Sequence, residues 1–233
     1  MRRALLVLSI AVATLPWGGV AGAWSNGVNG GNTFGTHDWV LRAALGKVGD
    51  EVPWLCTRAA LRATDDPDTV DGVQYMSAPW WHVYDEWGAS TYGDAPTAVA
   101  YWHERARREW NADVPCKASR SLGIMAHLVA DIAQPMHTDG WLDAEDAVHG
   151  DYEAGVDQRC PSFTRCRYGF RYDGADQTEP GPRALAIARH AHPAYDDLVK
   201  TFYRHGYTRS VDTITRRQLN RAANAVADLL TSL

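Results

Sequence analysis

The stretch that most constrains this chain is residues 120–137, RSLGIMAHLVADIAQPMH. Between Lys117 and Gln134 there is no proline and a single glycine, which predicts one helix. Pro135 ends it, because the ring removes an amide donor and clashes with the preceding turn. Leu122, Met125, Ala126, Val129 and Ile132 recur at helical spacing as one apolar stripe, and Ile124 and Leu128 add apolar groups on another side. A helix that is apolar on most faces is buried. Yet His127 and Asp131 sit on it, four residues apart and so on one face. His137 follows just past the breaker, giving the pattern H-x3-D-x5-H with Q-P before the last His. Burying an ionised carboxylate beside an imidazole is costly unless both are paired or bound to metal. From these three residues alone, a buried His–Asp pair that holds the core accounts for the pattern as well as a ligand set does.

The chain has 233 residues, which suits one domain or at most two small ones. Its composition is that of a globular protein, enriched in tryptophan (ten) and histidine (nine). Residues 1–23 have the form of a secretory signal: Arg2 and Arg3, an apolar run over Ala4–Leu15, and Ala21-Gly22-Ala23 as an A-x-A cleavage site. No later stretch is long and apolar enough to span a bilayer. The expectation is therefore an exported mature chain, 24–233, beginning at Trp24. Loss of Arg2 and Arg3 leaves it more acidic than the −5 of the whole sequence. Such a chain has no general attraction for nucleic acid or an anionic membrane. Four cysteines in an exported protein suggest two disulfides, with three possible connectivities. The most economical joins Cys160 to Cys166 across CPSFTRC and leaves Cys56 for Cys116.

Along the chain, WSNGVNGGNTFGT (24–36) reads as an irregular arm, and Thr36 or Asp38 can cap a helix over 37–47 with His37 at its start. A second helix is expected over 52–63. DDPDTVDG (65–72) is a turn rich in carboxylates, and QYMSAPWWHVYDEWG (74–88) an aromatic loop holding His82. Pro96 opens a helix to Trp110 with Val99, Trp102, His103, Ala106 and Trp110 on one stripe. His103 lies on that stripe and reads as a satisfied core histidine. In HGDYEAGVD (149–157), His149 and Glu153 are again at i,i+4 on a short helix. Residues 158–180 read as irregular. Residues 183–204 predict one or two helices broken near Pro193, and His190, His192 and His205 read as surface or packing residues. The last helix spans 211–232, with Leu219, Ala222, Ala223, Val226, Leu229 and Leu230 on one side. No alternating strand pattern and no repeat is present. The expected class is all-α, a single-domain helical bundle.

His127, Asp131, His137, His149 and Glu153 fall within 27 residues. Imidazole with carboxylate is the ligand mixture that suits zinc. His37, His82 and the acidic turn at 65–68 lie upstream, where they could fold onto the same core. Five histidines and three carboxylates exceed one tetrahedral ion and suit two or three. A core seeded with that many ionisable groups is hard to fold without metal.

On these residues the chain resembles the zinc-dependent phospholipase C family, whose relatives include zinc nucleases specific for single strands. The family pattern is H-x3-D-x5-H on a core helix followed by H-x3-E or H-x3-D, matched by His127, Asp131, His137, His149 and Glu153. A mature N-terminal Trp that binds metal through its amino group and carbonyl is matched by Trp24, and the next His by His37 in GTHDWV. An Asp ahead of a His in an aromatic segment is matched by Asp68 and His82, with Asp65 as the alternative for that Asp. The resemblance implies an α-helical fold built around three buried zinc ions. One would take Asp68, His82, His127 and Asp131. A second would take His137, His149 and Glu153. The third would take Trp24 and His37, with Asp131 bridging it to the first.

Two branches of the family differ in ways visible here. Twelve residues separate Trp24 from His37, and the last carboxylate is Glu153; both are phospholipase features. The acidic balance also weighs mildly against nucleic acid as substrate. The implied activity is hydrolysis of phospholipids on the glycerol side of the phosphate, at a membrane surface, by a secreted monomer with no stable nucleic-acid partner. Asp68 is the candidate general base or water-orienting ligand. Relatives that prefer phosphatidylcholine hold the choline with a Glu near the mature N-terminus and two aromatics. Ser25–Asn29, Thr69 and Pro79 supply none of these, so Tyr75, Trp80 and Trp81 are the candidates for a cation–π wall. The extra lipid-binding β domain of some clostridial toxins has no room in this length. The alternatives are a single-strand-specific zinc nuclease of the same superfamily and a secreted metal-binding module without turnover.

Overall fold

The computed structural model describes residues 34–70, 84, 94–138, 147–174, 176 and 179–233. They form helices α1 (Thr36–Val48), α2 (Thr57–Ala63), the single turn α3 (Asp66–Thr69), α4 (Ala95–Asn111), α5 (Pro115–Ala133), α6 (His149–Arg159), α7 (Pro180–Ala191), α8 (Tyr195–His205) and α9 (Arg209–Thr231). Among the described residues no strand forms; an isolated antiparallel bridge joins Tyr84 to Asp94. The all-α expectation holds. No described helix is long and apolar enough to cross a membrane.

Helix α5 is the axis of the molecule. It packs chiefly against α4 and α2, and also touches α9, α7 and α1. Its apolar residues explain why: every side chain from Ser121 to Ala133 is buried, the apolar ones at 0–1 % exposure. Full burial of a Leu, Ile, Val or Met contributes about 1.5–3 kcal/mol, so this one helix carries much of the core's stability. The helix starts at Pro115, which suits the first position because that amide needs no intrahelical partner. It stops at Ala133 before Pro135, and Pro135–His137 makes a single 3-10 turn. The turn carries His137.

The other helices follow the sequence with local differences. In α1 the cap is Gly35, not Thr36: the Asp38 carboxylate accepts from Gly35 N–H at 3.1 Å, and Thr36 turns to a distant partner. The helix expected over 52–63 is confined to Thr57–Ala63, because Pro53 interrupts the start and Cys56 N–H is taken by Ser119 Oγ at 2.8 Å. The acidic turn contains one helical turn, Asp66–Thr69, with Pro67 near its start. On α4 the apolar stripe is buried through Ala106. Trp110 is half-buried and stacks on Trp54 with ring centroids 4.3 Å apart. His103 is a satisfied core histidine, bonded through Nε2 to Leu229 O and Ser232 Oγ, both at 3.1 Å. The break at Pro193 separates α7 from α8, and Gly206, at φ 61°, lets the chain leave α8 for α9.

Both disulfides form in the most economical pairing, Cys56–Cys116 and Cys160–Cys166. The stretch after the small loop lacks helix but is tied along α9 by a polar ladder one turn apart. Asn220, Asn224 and Asp228 accept from the amides of Arg171, Asp173 and Asp176 at 2.7, 3.2 and 2.8 Å. Asp228 is itself buried and paired with Arg183 at 2.5 Å.

Candidate metal centre

Three segments bring imidazole and carboxylate groups together near one end of α5. His127 and Asp131 stand one turn apart on α5, so the helix itself aligns them: His127 Nε2 lies 3.0 Å from Asp131 Oδ2. His37, in the first turn of α1, reaches the other oxygen, with Nε2 3.6 Å from Asp131 Oδ1. The His37 and His127 rings stack at 3.8 Å between centroids. Asp131 thus turns one oxygen to each histidine. All three residues are buried to 1 % exposure or less. The Asp68 carboxylate approaches from α3, Oδ1 lying 3.6 Å from His127 Nε2. Asp65, its alternative, is buried nearby and lines a cavity of about 540 Å³ with Asp38 and Arg42.

The second group joins the 3-10 turn after α5 to α6. His149 and Glu153 are one helical turn apart, with His149 Nε2 2.9 Å from Glu153 Oε1. His137 Nε2 lies 3.1 Å from His149 Nε2 and 3.8 Å from Glu153 Oε1. Within each group the candidate ligand atoms lie within 4.8 Å of one another.

Hydrogen bonds from outside aim these groups. His127 Nδ1 donates to the Thr64 carbonyl at 2.6 Å, since a carbonyl can only accept, and this leaves Nε2 facing the carboxylates. Gln134 donates through Nε2 to Glu153 Oε1 at 2.8 Å and is fully buried. Tyr84 N–H donates to the His137 carbonyl at 2.8 Å, which ties this one residue to the turn that carries His137. Burial alone would lower the His127 pKa, but the Asp131 and Asp68 carboxylates and the bond to Thr64 outweigh it and hold it up to about 9. Burial would raise Glu153; hydrogen bonds and charge from His137 and His149 outweigh it and hold its carboxyl low.

The donor set fits zinc. Each group offers two imidazole nitrogens and a carboxylate oxygen converging on one place, the ligand mixture and number of a catalytic zinc site with a position left open. The second group points the same way. Its two Nε2 atoms, 3.1 Å apart with one carboxylate oxygen beside them, are close enough to share one cation.

Of the residues the sequence singled out, the fold brings together His37, Asp68, His127 and Asp131 in one place and His137, His149 and Glu153 in another. Trp24, Tyr75, Trp80, Trp81 and His82 lie outside the described residues, and so do the parts of the expected zinc sites that rest on them. Thr64, Gln134 and Asp157 were not foreseen. Gln134 is visible only as the Q of Q-P-x-H, and Asp157 as one more polar residue four places beyond Glu153. Thr64 acts through its carbonyl, which leaves no trace in sequence. His192 is a packing residue of the two kinds expected: its Nδ1 bonds the Thr138 carbonyl at 3.0 Å.

No protein-family model matches the chain, and no curated protein matches it. Its fold is shared with solved clostridial toxins. An alpha-toxin of Clostridium perfringens from an avian strain superposes with a TM-score of 0.60 at 14 % identity, covering 85 % of this chain and 62 % of that one. The alpha toxin from Clostridium absonum gives 0.63 at 14 % identity, covering 85 % and 63 %. The chain therefore spans somewhat less than two thirds of the toxins' length.

Proposed function

We propose that this chain is a secreted zinc-dependent phosphodiesterase that hydrolyses phospholipids on the glycerol side of the phosphate, a phospholipase C. The observation that carries the reading is the pair of ligand groups, the buried His37–His127–Asp131 and the mostly buried His137–His149–Glu153, one on α5 and α1 and the other on the turn after α5 and α6. The helical fold shared with clostridial alpha-toxins supports it. The two disulfides accord with an exported chain.

When bound, zinc supplies positive charge for the phosphate oxygens and a water acidified toward neutral pH. Asp131, with one oxygen toward each neighbouring histidine, holds the two imidazoles in register. Asp68 stands beside His127, and its proposed role is to orient the attacking water or take its proton. In-line attack of that water at phosphorus then breaks the P–O bond to diacylglycerol, whose oxygen takes up a proton from solvent water. Trp24, as the first residue of the cleaved chain, is proposed to complete the site through its amino group and carbonyl, and His82 through its ring.

The test is a substrate panel on the zinc-loaded mature chain, with and without chelator: phosphatidylcholine, phosphatidylethanolamine, sphingomyelin and single-stranded DNA. Chelator-sensitive release of diacylglycerol or ceramide is expected. Cleavage of DNA alone would make the chain a nuclease, and no turnover of any substrate would leave a metal-binding module. A form with one glycine added before Trp24 tests the N-terminal ligand. It should lose zinc and most of its rate.

A further inference from the structure

The helix that carries His149 and Glu153 carries a third buried acid one turn on. Asp157 is 2 % exposed, and its Oδ1 accepts from both Thr36 N–H, at 3.1 Å, and Thr36 Oγ, at 2.5 Å. Thr36 immediately precedes His37. The first amides of a helix have no partner within it, and a carboxylate there is favoured by the helix dipole as well. Most helices find that acceptor locally. Here the N-cap is Gly35, which has no side chain to offer, and the acceptor comes from 121 residues away.

The links close on themselves. Asp131 on α5 meets His37 on α1. Gln134, just past α5, meets Glu153 on α6. Asp157 on α6 meets Thr36 at the start of α1. Each side of this triangle is a buried polar contact, and residues of both ligand groups, His37 and Asp131 of one and Glu153 of the other, form two of its sides. Ordering α6 at the second group therefore orders the start of α1, which holds His37 in the first.

We propose that Asp157 is a positioning residue that couples the two ligand groups, so that filling one favours filling the other. The inference rests on the reading that these groups hold zinc. Without Asp157 the triangle opens and each group loads on its own. Loss of a partner that orients a ligand weakens metal binding about 10- to 100-fold, and the expected effect is at the lower end because His37 keeps its contact with Asp131.

The experiment is a zinc titration of the metal-free mature chain against a chromophoric chelator, read as zinc bound per chain and as the steepness of the isotherm. Wild type should load cooperatively. Asp157→Ala should load with a shallow isotherm and about tenfold weaker affinity at one group. Asp157→Asn and Thr36→Ser keep an acceptor and a hydroxyl and should restore steepness. Thr36→Val, which keeps the amide but loses the hydroxyl, should fall between and also serves if Asp157→Ala does not fold. An isotherm of unchanged shape in both Asp157→Ala and Thr36→Val, even with a lower Tm, overturns the proposal and leaves Asp157 a plain helix cap. A wild type that loads zinc without cooperativity overturns it too, while the metal reading stands. A wild type that binds no zinc overturns both.

Discussion

Gly123→Ala is the substitution for which the structure makes the sharpest demand. Gly123 lies on α5 where α2 crosses it. A Cβ there would run into the Ala60 carbonyl and stand 2.9 Å from Ala63 Cβ. The obstacle is backbone, which cannot swing aside as a side chain does. Nor can α2 withdraw freely: Cys56–Cys116 and the Cys56 N–H bond to Ser119 pin one end, and Arg120–Asp66 at 2.7 Å ties the stretch just beyond the other. Overpacking of this kind costs up to about 3 kcal/mol. Alanine returns about 1 kcal/mol through its better helix propensity. The net loss is about 2 kcal/mol, which lowers Tm by about 4–8 °C in a chain of this size. Gly46 on α1 is the internal control, since nothing lies within 4 Å of a Cβ there. Gly46→Ala should raise Tm slightly. Displacing α2 also moves Thr64, whose carbonyl holds His127 at 2.6 Å, so Gly123→Ala should weaken zinc binding about tenfold besides. Both are read by thermal unfolding with and without chelator and by zinc titration. If Gly123→Ala and Gly46→Ala raise Tm alike, the close crossing of α2 and α5 is wrong.

Removing metal should lower Tm markedly, because binding to the folded chain alone contributes about 4 kcal/mol per site at a thousand-fold excess over Kd; a Tm unchanged after verified zinc removal would refute the role of the buried ligands in stability. Asp131→Asn keeps the shape but loses the charge that faces both His37 and His127, and should be the most damaging ligand substitution. Full zinc content with a near-normal rate would contradict its bridging position. His103 has its pKa lowered from 6.5, chiefly by burial, with the bond to Leu229 working against that, so the folded chain favours the neutral ring. The unfolded chain then binds more protons below pH 6.5, and stability falls as pH drops from there toward the folded pKa. In chelated protein His103→Gln should show a shallower decline of Tm between pH 6.5 and 5 than wild type; parallel curves would remove His103 as a source of acid sensitivity.

What the sequence determined by itself is what lies within one helical turn. A period of 3.6 residues puts His127 over Asp131 and His149 over Glu153 whatever else the chain does, and the apolar surroundings of the first pair already require that its helix be buried. The break at Pro193 and the all-α class are legible for the same reason, since proline and apolar spacing act locally. The tertiary structure alone decided the rest. It joined Cys56 to Cys116, set His37 against Asp131, tied the Cys56 amide to Ser119, and supplied the Thr64 carbonyl, Gln134 and Asp157 as the groups that aim the ligands. These contacts join residues 19 to 121 positions apart, and several use backbone atoms common to every residue type. No periodicity marks such partners; only the tertiary arrangement of α1, α2, α5 and α6 brings them within hydrogen-bonding distance.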